Sequence, residues 1–127
     1  MKNILLLGAT GSIGDSVLNV IRQNNSTLNL FGIAVGKNIK KTEAIIETFS
    51  PKNIFIDDIK AYDEISSSHP DKNILNSDQE LLNLISDDKV DIVISAIVGF
   101  AGLKASLMAV NSGKTVLIAN KESIVAA

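Results

Sequence analysis

Solid apolar runs and amphipathic stretches alternate along this chain from end to end. The runs predict strands over Asn3–Leu7, Leu28–Val35, Asn53–Ile56, Val90–Ala96 and Thr115–Ile118, the fourth apolar apart from Asp91 and Ser95. Between them the apolar positions fall at helical spacing. Ile13, Val17, Val20 and Ile21 form one stripe of a helix over Ser12–Asn24. A second helix near Lys40–Phe49 is stopped by Ser50-Pro51. The polar stretch from Asp57 to Asn76, which holds Ser66-Ser67-Ser68-His69-Pro70, reads as a short helix and then a surface loop. Ser77-Asp78-Gln79-Glu80 is a capping box with Leu81, Leu82, Leu84 and Ile85 behind it, so a helix starts there. Leu103, Leu107 and Val110 mark a further helix that Gly113 ends. Five strands joined through helices by right-handed crossovers predict an α/β domain of the Rossmann type. Its sheet is doubly wound and parallel, with strand order 3-2-1-4-5.

The first strand runs straight into Gly8-Ala9-Thr10-Gly11-Ser12-Ile13-Gly14, and a helix opens there. Glycine serves three needs at such a junction: a tight turn, bare backbone where phosphates approach, and close packing of the helix on the strand. Gly8, Gly11 and Gly14 fit those roles in order. The helix N-terminus behind them offers orphan N–H groups and a partial positive charge, so the loop predicts pyrophosphate binding without a lysine. A purely steric strand-to-helix turn is the alternative. The spacing G-x-x-G-x-x-G is one residue longer than G-x-G-x-x-G and leaves the cofactor class open.

Composition narrows the classes. At 127 residues and 46% hydrophobic content the chain is long enough for one domain with a real core. With only 4% aromatics and no Trp, that core is built from Ile, Leu, Val and Ala, as in sheets covered by helices on both faces. Absence of Cys excludes disulfide and thiol chemistry within these residues. No signal peptide is visible after Lys2, and no apolar stretch approaches membrane-spanning length, which predicts a soluble, cytoplasmic protein. A net charge of −2, with scattered lysines, argues against nucleic-acid binding.

Ligands of doubly wound sheets lie over the C-terminal ends of the strands. After the second strand, at Ile33-Ala34-Val35-Gly36-Lys37-Asn38, the carboxylate that usually meets the ribose 2′-hydroxyl of NAD is missing. Lys37 stands there instead and favours a 2′-phosphate, hence NADP; a solvated helix-start lysine is the alternative. After the fourth strand, Ala96-Ile97-Val98-Gly99-Phe100-Ala101-Gly102 suits a loop against the nicotinamide, or an ordinary turn. After the fifth comes Ala119-Asn120-Lys121-Glu122-Ser123, a polar cluster that a helix start also explains. His69 reads as a solvated loop residue, and the pairs Asp57-Asp58 and Asp87-Asp88 as caps. No complete metal site and no nucleophile with an adjacent base is visible. Residue by residue, the reading stops at a dinucleotide-binding domain with unassigned chemistry.

Taken together, GATGSIG, AVGKN, AIVGFAGL and LIANKESIVAA resemble, in this order and spacing, the N-terminal part of the 1-deoxy-D-xylulose 5-phosphate reductoisomerase family. LIANKES is the most specific of the four. The resemblance covers the whole chain, with Ala9 in place of a common serine and Phe100 in place of a usually small residue. It implies a cytoplasmic, homodimeric enzyme that rearranges 1-deoxy-D-xylulose 5-phosphate and reduces the product with NADPH to 2-C-methyl-D-erythritol 4-phosphate, using Mg²⁺ or Mn²⁺. By motif, Gly8, Thr10, Gly11, Ser12 and Ile13 would hold the pyrophosphate, and Gly36, Lys37 and Asn38 the 2′-phosphate. Asn120 and Glu122 would contact the cofactor and Lys121 the substrate. The family's metal-binding acids lie downstream of the last motif, so residues 1–127 are expected to form an NADPH-binding domain inactive by itself. A stand-alone nucleotide-binding module or sensor, and the N-terminal domain of a homoserine or semialdehyde dehydrogenase, are the competing expectations.

Overall fold

In the computed structural model, residues 1–97 and 107–119 are described. Ile4, Leu5, Leu6 and Leu7 of the first apolar run are all buried, because the strand they form lies in the middle of the sheet with helices over both faces. In chain order the elements are β1 (Lys2–Leu7), α1 (Ser12–Gln23), β2 (Leu28–Val35), α2 (Ile39–Phe49), β3 (Asn53–Ile56), α3 (Ile59–Ser68), β4 (Asn73–Leu75), α4 (Asp78–Ile85), β5 (Ile92–Ser95) and β6 (Thr115–Ile118). A helical segment at 107–111 precedes β6, and Gly113 beyond it takes φ +75. Leu103, read as the start of that helix, lies outside the described residues.

The sheet order is β4-β3-β2-β1-β5-β6 and every pairing is parallel. The expected order 3-2-1-4-5 is recovered as β3-β2-β1-β5-β6, with one strand added at the edge. That strand, β4, falls in the stretch read as a loop. It is only three residues long, none of them buried, and it is placed by backbone pairing to β3 and by Asn73 Nδ2 donating to Asn53 Oδ1 at 2.8 Å.

Each face buries its own cluster. Ile4, Leu6, Leu30, Ile33, Val35, Ile54 and Ile56 meet Val17, Leu18 and Ile21 of α1, Ile45 and Ile46 of α2, and Ala61 and Ile65 of α3. On the other face Leu5, Leu7, Ala34, Phe55 and Val93 meet Leu81, Leu84 and Ile85 of α4 and Ala109. Full burial of each large aliphatic side chain contributes roughly 1.5–3 kcal/mol, so this two-sided packing carries most of the fold's stability.

One irregularity sets the phase. Ile4 pairs with Leu30 but Leu5 pairs with Gly32, which leaves Phe31 as an extra residue in β2. Leu30 and Ile33 therefore face the same side although they are three positions apart. Strict alternation would put them on opposite sides.

Helix ends follow local chemistry. Ser77 and Glu80 form the expected capping box on α4, and the backbone N–H groups of Ser77 and then Asn76 hold the Glu80 carboxyl below the usual carboxylate range. Asn38 caps α2 by accepting from Lys41 N–H, and Asp58 caps α3 by accepting from Ala61 N–H. Helix α2 ends at Ser50 in the left-handed region, φ 49, just before Pro51.

Candidate dinucleotide-binding site

The junction of β1 and α1 can be built only around glycine. Gly8 takes φ +83, and a Cβ there would lie 2.7 Å from Ile97 Cγ1 and 3.0 Å from the Ala96 carbonyl carbon. At Gly14 a Cβ would lie 2.5 Å from the carbonyl oxygens of both Gly8 and Ala9, so the first turn of α1 rests directly on the loop backbone. Gly8 N–H donates to the Ala34 carbonyl at 2.9 Å and Ala9 N–H to the same oxygen at 3.2 Å, which stitches the loop to the end of β2. Gly11 meets no such crowding.

Gly11 is also the N-cap of α1 and provides no side-chain oxygen, whereas α2, α3 and α4 are capped by Asn38, Asp58 and Ser77. The first-turn N–H groups of a helix have no intrahelical acceptor, so this end of α1 presents donors and a partial positive charge to whatever lies beyond Gly11 and Ser12, both exposed. Thr10 and Ile13 are half-buried beside them, Ile13 against the core.

A cleft of about 370 Å³ opens over the ends of β1, β2 and β3. Leu7, Ala34, Phe55, Leu81 and Met108 give it apolar walls, Gly8 and Gly36 bare backbone, and Asp57 and Asp78 polar lining. This is the composition expected of a nucleoside site, apolar with few polar groups. Asp57 N–H donates to the Val35 carbonyl at 3.0 Å, which holds the third strand tip beside the second.

At the β2 tip, a Cβ on Gly36 would meet nothing within 4 Å. Lys37 is exposed and enters no hydrogen bond or ion pair among the described residues, so its charge is available to a ligand. Asn38 is partly committed, because its Oδ1 accepts from Lys41 N–H at 3.0 Å. The fold thus brings Gly8, Thr10, Gly11, Ser12 and Ile13 of one loop and Gly36, Lys37 and Asn38 of the next to neighbouring strand ends. Asn120, Lys121 and Glu122, with the loop at 98–102, lie outside the described residues.

Two groups near these loops were not legible in the sequence. Lys41 Nζ donates to the Thr10 carbonyl at 3.0 Å and to Asp15 Oδ2 at 2.7 Å, crossing from α2 to the glycine loop. Its partners lie 31 and 26 positions away, so only the packing of α2 beside α1 reveals the contact. His69, read as solvated, instead places Nε2 2.9 Å from Glu43 Oε1, tying the end of α3 to α2. Asp58 is a cap as expected, and Asp87 accepts from Lys89 N–H at 2.8 Å. Among the described residues no three His, Cys, Asp or Glu side chains are placed to share a metal ion, and no helix is long and apolar enough to cross a membrane.

Comparison with known proteins adds an independent line. The family model described as 1-deoxy-D-xylulose 5-phosphate reductoisomerase matches residues 4–127. Similar relatives of that name include one from Shewanella pealeana, 43% identical over 98% of this chain and 32% of its own length. Another, from Geobacillus sp., is 38% identical over 100% of this chain and 34% of its own. Among solved structures, DOX-P reductoisomerase in complex with NADPH, fosmidomycin and magnesium superposes with a TM-score of 0.86 at 38% identity, covering 98% of this chain and 31% of that one. The Zymomonas mobilis enzyme in complex with NADPH gives 0.81 at 32% identity, covering 99% and 34%. The chain spans about a third of the length of the curated relatives it matches. A glycine loop under an uncapped helix, a lysine-bearing second strand tip and a match over nearly every residue lead to one conclusion: the chain belongs to the 1-deoxy-D-xylulose 5-phosphate reductoisomerase family.

Proposed function

We propose that residues 1–127 are the NADPH-binding domain of an enzyme that rearranges 1-deoxy-D-xylulose 5-phosphate and reduces the product to 2-C-methyl-D-erythritol 4-phosphate. The observation that carries the reading is the pairing of an uncapped α1 with an exposed Lys37, unpartnered among the described residues, at adjoining strand ends. Pyrophosphate and 2′-phosphate are the two anionic parts of NADPH, and each has a matching feature. Thr10, Gly11, Ser12 and Ile13 would hold the pyrophosphate through backbone donors at the helix N-terminus, with Gly8 turning the chain there. Gly36, Lys37 and Asn38 would take the 2′-phosphate, Lys37 by charge and Gly36 by leaving the backbone bare. The apolar cleft between them suits the adenosine.

NADPH supplies the hydride; these residues bind and orient it. The relatives' names and the NADPH complexes of two solved reductoisomerases support the assignment. Asn120 and Glu122 as further cofactor contacts and Lys121 as a contact to the sugar phosphate rest on the LIANKES motif. A divalent cation, Mg²⁺ or Mn²⁺, belongs to the same reading, but the described residues supply no cluster to hold it and no step is assigned to it. A cytoplasmic homodimer is the assembly proposed for the whole enzyme.

Calorimetric titration with NADPH and NADH tests the core of this reading. A charge-assisted contact is worth roughly 1.5–3 kcal/mol when sheltered and less at an exposed rim, so about a tenfold preference for NADPH is expected. Equal affinities would remove the NADP assignment.

A further inference from the structure

We infer that Lys41 is a positioning residue of the cofactor loop: it holds the Thr10 carbonyl turned toward α2 and cancels the Asp15 charge that would oppose the pyrophosphate. The inference rests on the NADPH reading above. Asp15 stands in the first turn of α1, the end of the helix that receives the anion. An acidic side chain there stabilises an empty helix N-terminus, but it repels a bound phosphate. Lys41 Nζ sits 2.7 Å from its carboxylate and spends a second N–H on the Thr10 carbonyl at 3.0 Å. One ammonium thus ties together the loop for the pyrophosphate and the helix that begins at the 2′-phosphate tip, because Lys41 N–H is also bonded to Asn38. No other side-chain hydrogen bond or ion pair among the described residues joins these two segments.

Both partners are partly exposed, 40% for the Lys41 side chain and 54% for that of Asp15, so the effect is moderate. In the full-length protein, Lys41→Ala is expected to weaken NADPH and NADH alike by about fivefold and to leave their ratio unchanged. Lys37→Ala would do the opposite, lowering the ratio. Asp15→Asn, which keeps the Lys41 charge and removes the repulsion, is expected to tighten both cofactors by about twofold, and in combination with Lys41→Ala to recover about half of the lost affinity.

A merely structural ion pair predicts otherwise: Asp15→Asn and Lys41→Ala would then lower the melting temperature together and weaken binding together. Weaker binding by Asp15→Asn overturns the proposal, and so does a Lys41→Ala protein that binds both cofactors as tightly as its parent. An unmutated protein that binds neither nucleotide overturns the NADPH reading and this inference with it. Tight NADPH binding with no response to either substitution overturns the inference alone.

Discussion

Between β1 and α1 the backbone is tightly held at Gly8, Ala9 and Gly14. Gly8 sits in the left-handed region against Ile97, Ala9 is fully buried, and Gly14 touches two carbonyls of its own loop. Between β2 and α2 the chain is open: a Cβ on Gly36 would meet nothing within 4 Å, and Lys37 projects without a partner among the described residues. The two loops stand on neighbouring strands and face one cleft, yet the first is specified by steric fit and the second by chemistry. A pyrophosphate is common to all dinucleotides, so its cradle can be rigid and belong to the fold. The 2′-phosphate separates one cofactor from another, and under the proposed function it falls to a side chain that the fold does not need.

That contrast breaks first at Gly14. Gly14→Ala would gain about 1 kcal/mol of helix propensity, but the new methyl group would press on backbone that no rotamer change can relieve. A net loss of at least about 2 kcal/mol in denaturant unfolding, with loss of NADPH binding, is the expected outcome. Unchanged stability would mean that the loop yields, and the steric half of the contrast would fall.

Why one loop was legible in the sequence and its neighbour only in part follows from the same difference. Steric demands fix Gly8 and Gly14, and both could be read from the sequence, as could the capping box at Ser77 and Glu80. The five predicted strands announced themselves by apolar runs. Strand β4 did not, because Ile74 and Leu75 alone are too short an apolar run to signal a strand, and backbone and asparagine bonds place it. Lys41 was silent for another reason. Its two acceptors come from a different helix and from a backbone carbonyl, and no local pattern encodes either. His69 looked solvated in its polar surroundings, and its pairing with Glu43 needed the packing of α3 on α2.

The chemical half is sharpened at the β2 tip, where the expected effects are smaller in stability and specific in binding. Lys37→Ala should leave the melting temperature in place and erase most of the preference for NADPH over NADH, a change read directly by titration. Gly36→Ala should fold as well as its parent or gain up to about 1 kcal/mol, since its Cβ enters open space and its φ is not positive, while cofactor affinity falls severalfold as the methyl group meets the ligand. A variant at either site that unfolds more easily would show that this tip, too, belongs to the scaffold.

The smallest effect lies away from both loops and serves as the control. Glu80 titrates below the usual carboxylate range because the Ser77 and Asn76 N–H groups favour its charged form. A folded-state value below the unfolded one gives stability that is complete near neutral pH and is lost as pH falls through the lowered value. The stability gap between the parent and Glu80→Gln should therefore shrink on acidification, measured by denaturant unfolding across the acid range, with NADPH affinity at neutral pH unmoved.

The extra residue in β2 has a bearing on how the two strand tips are aligned. Because Phe31 is taken up below the tip, Leu7 stands level with Ala34, and the glycine loop can bond to the end of β2. Without that correction the second tip would emerge about 3.3 Å out of step with the first, and the glycine loop and Gly36 would be misaligned by one residue. The bulge acts as a vernier: it takes up one residue inside the strand and leaves the edge in gauge with the glycine loop.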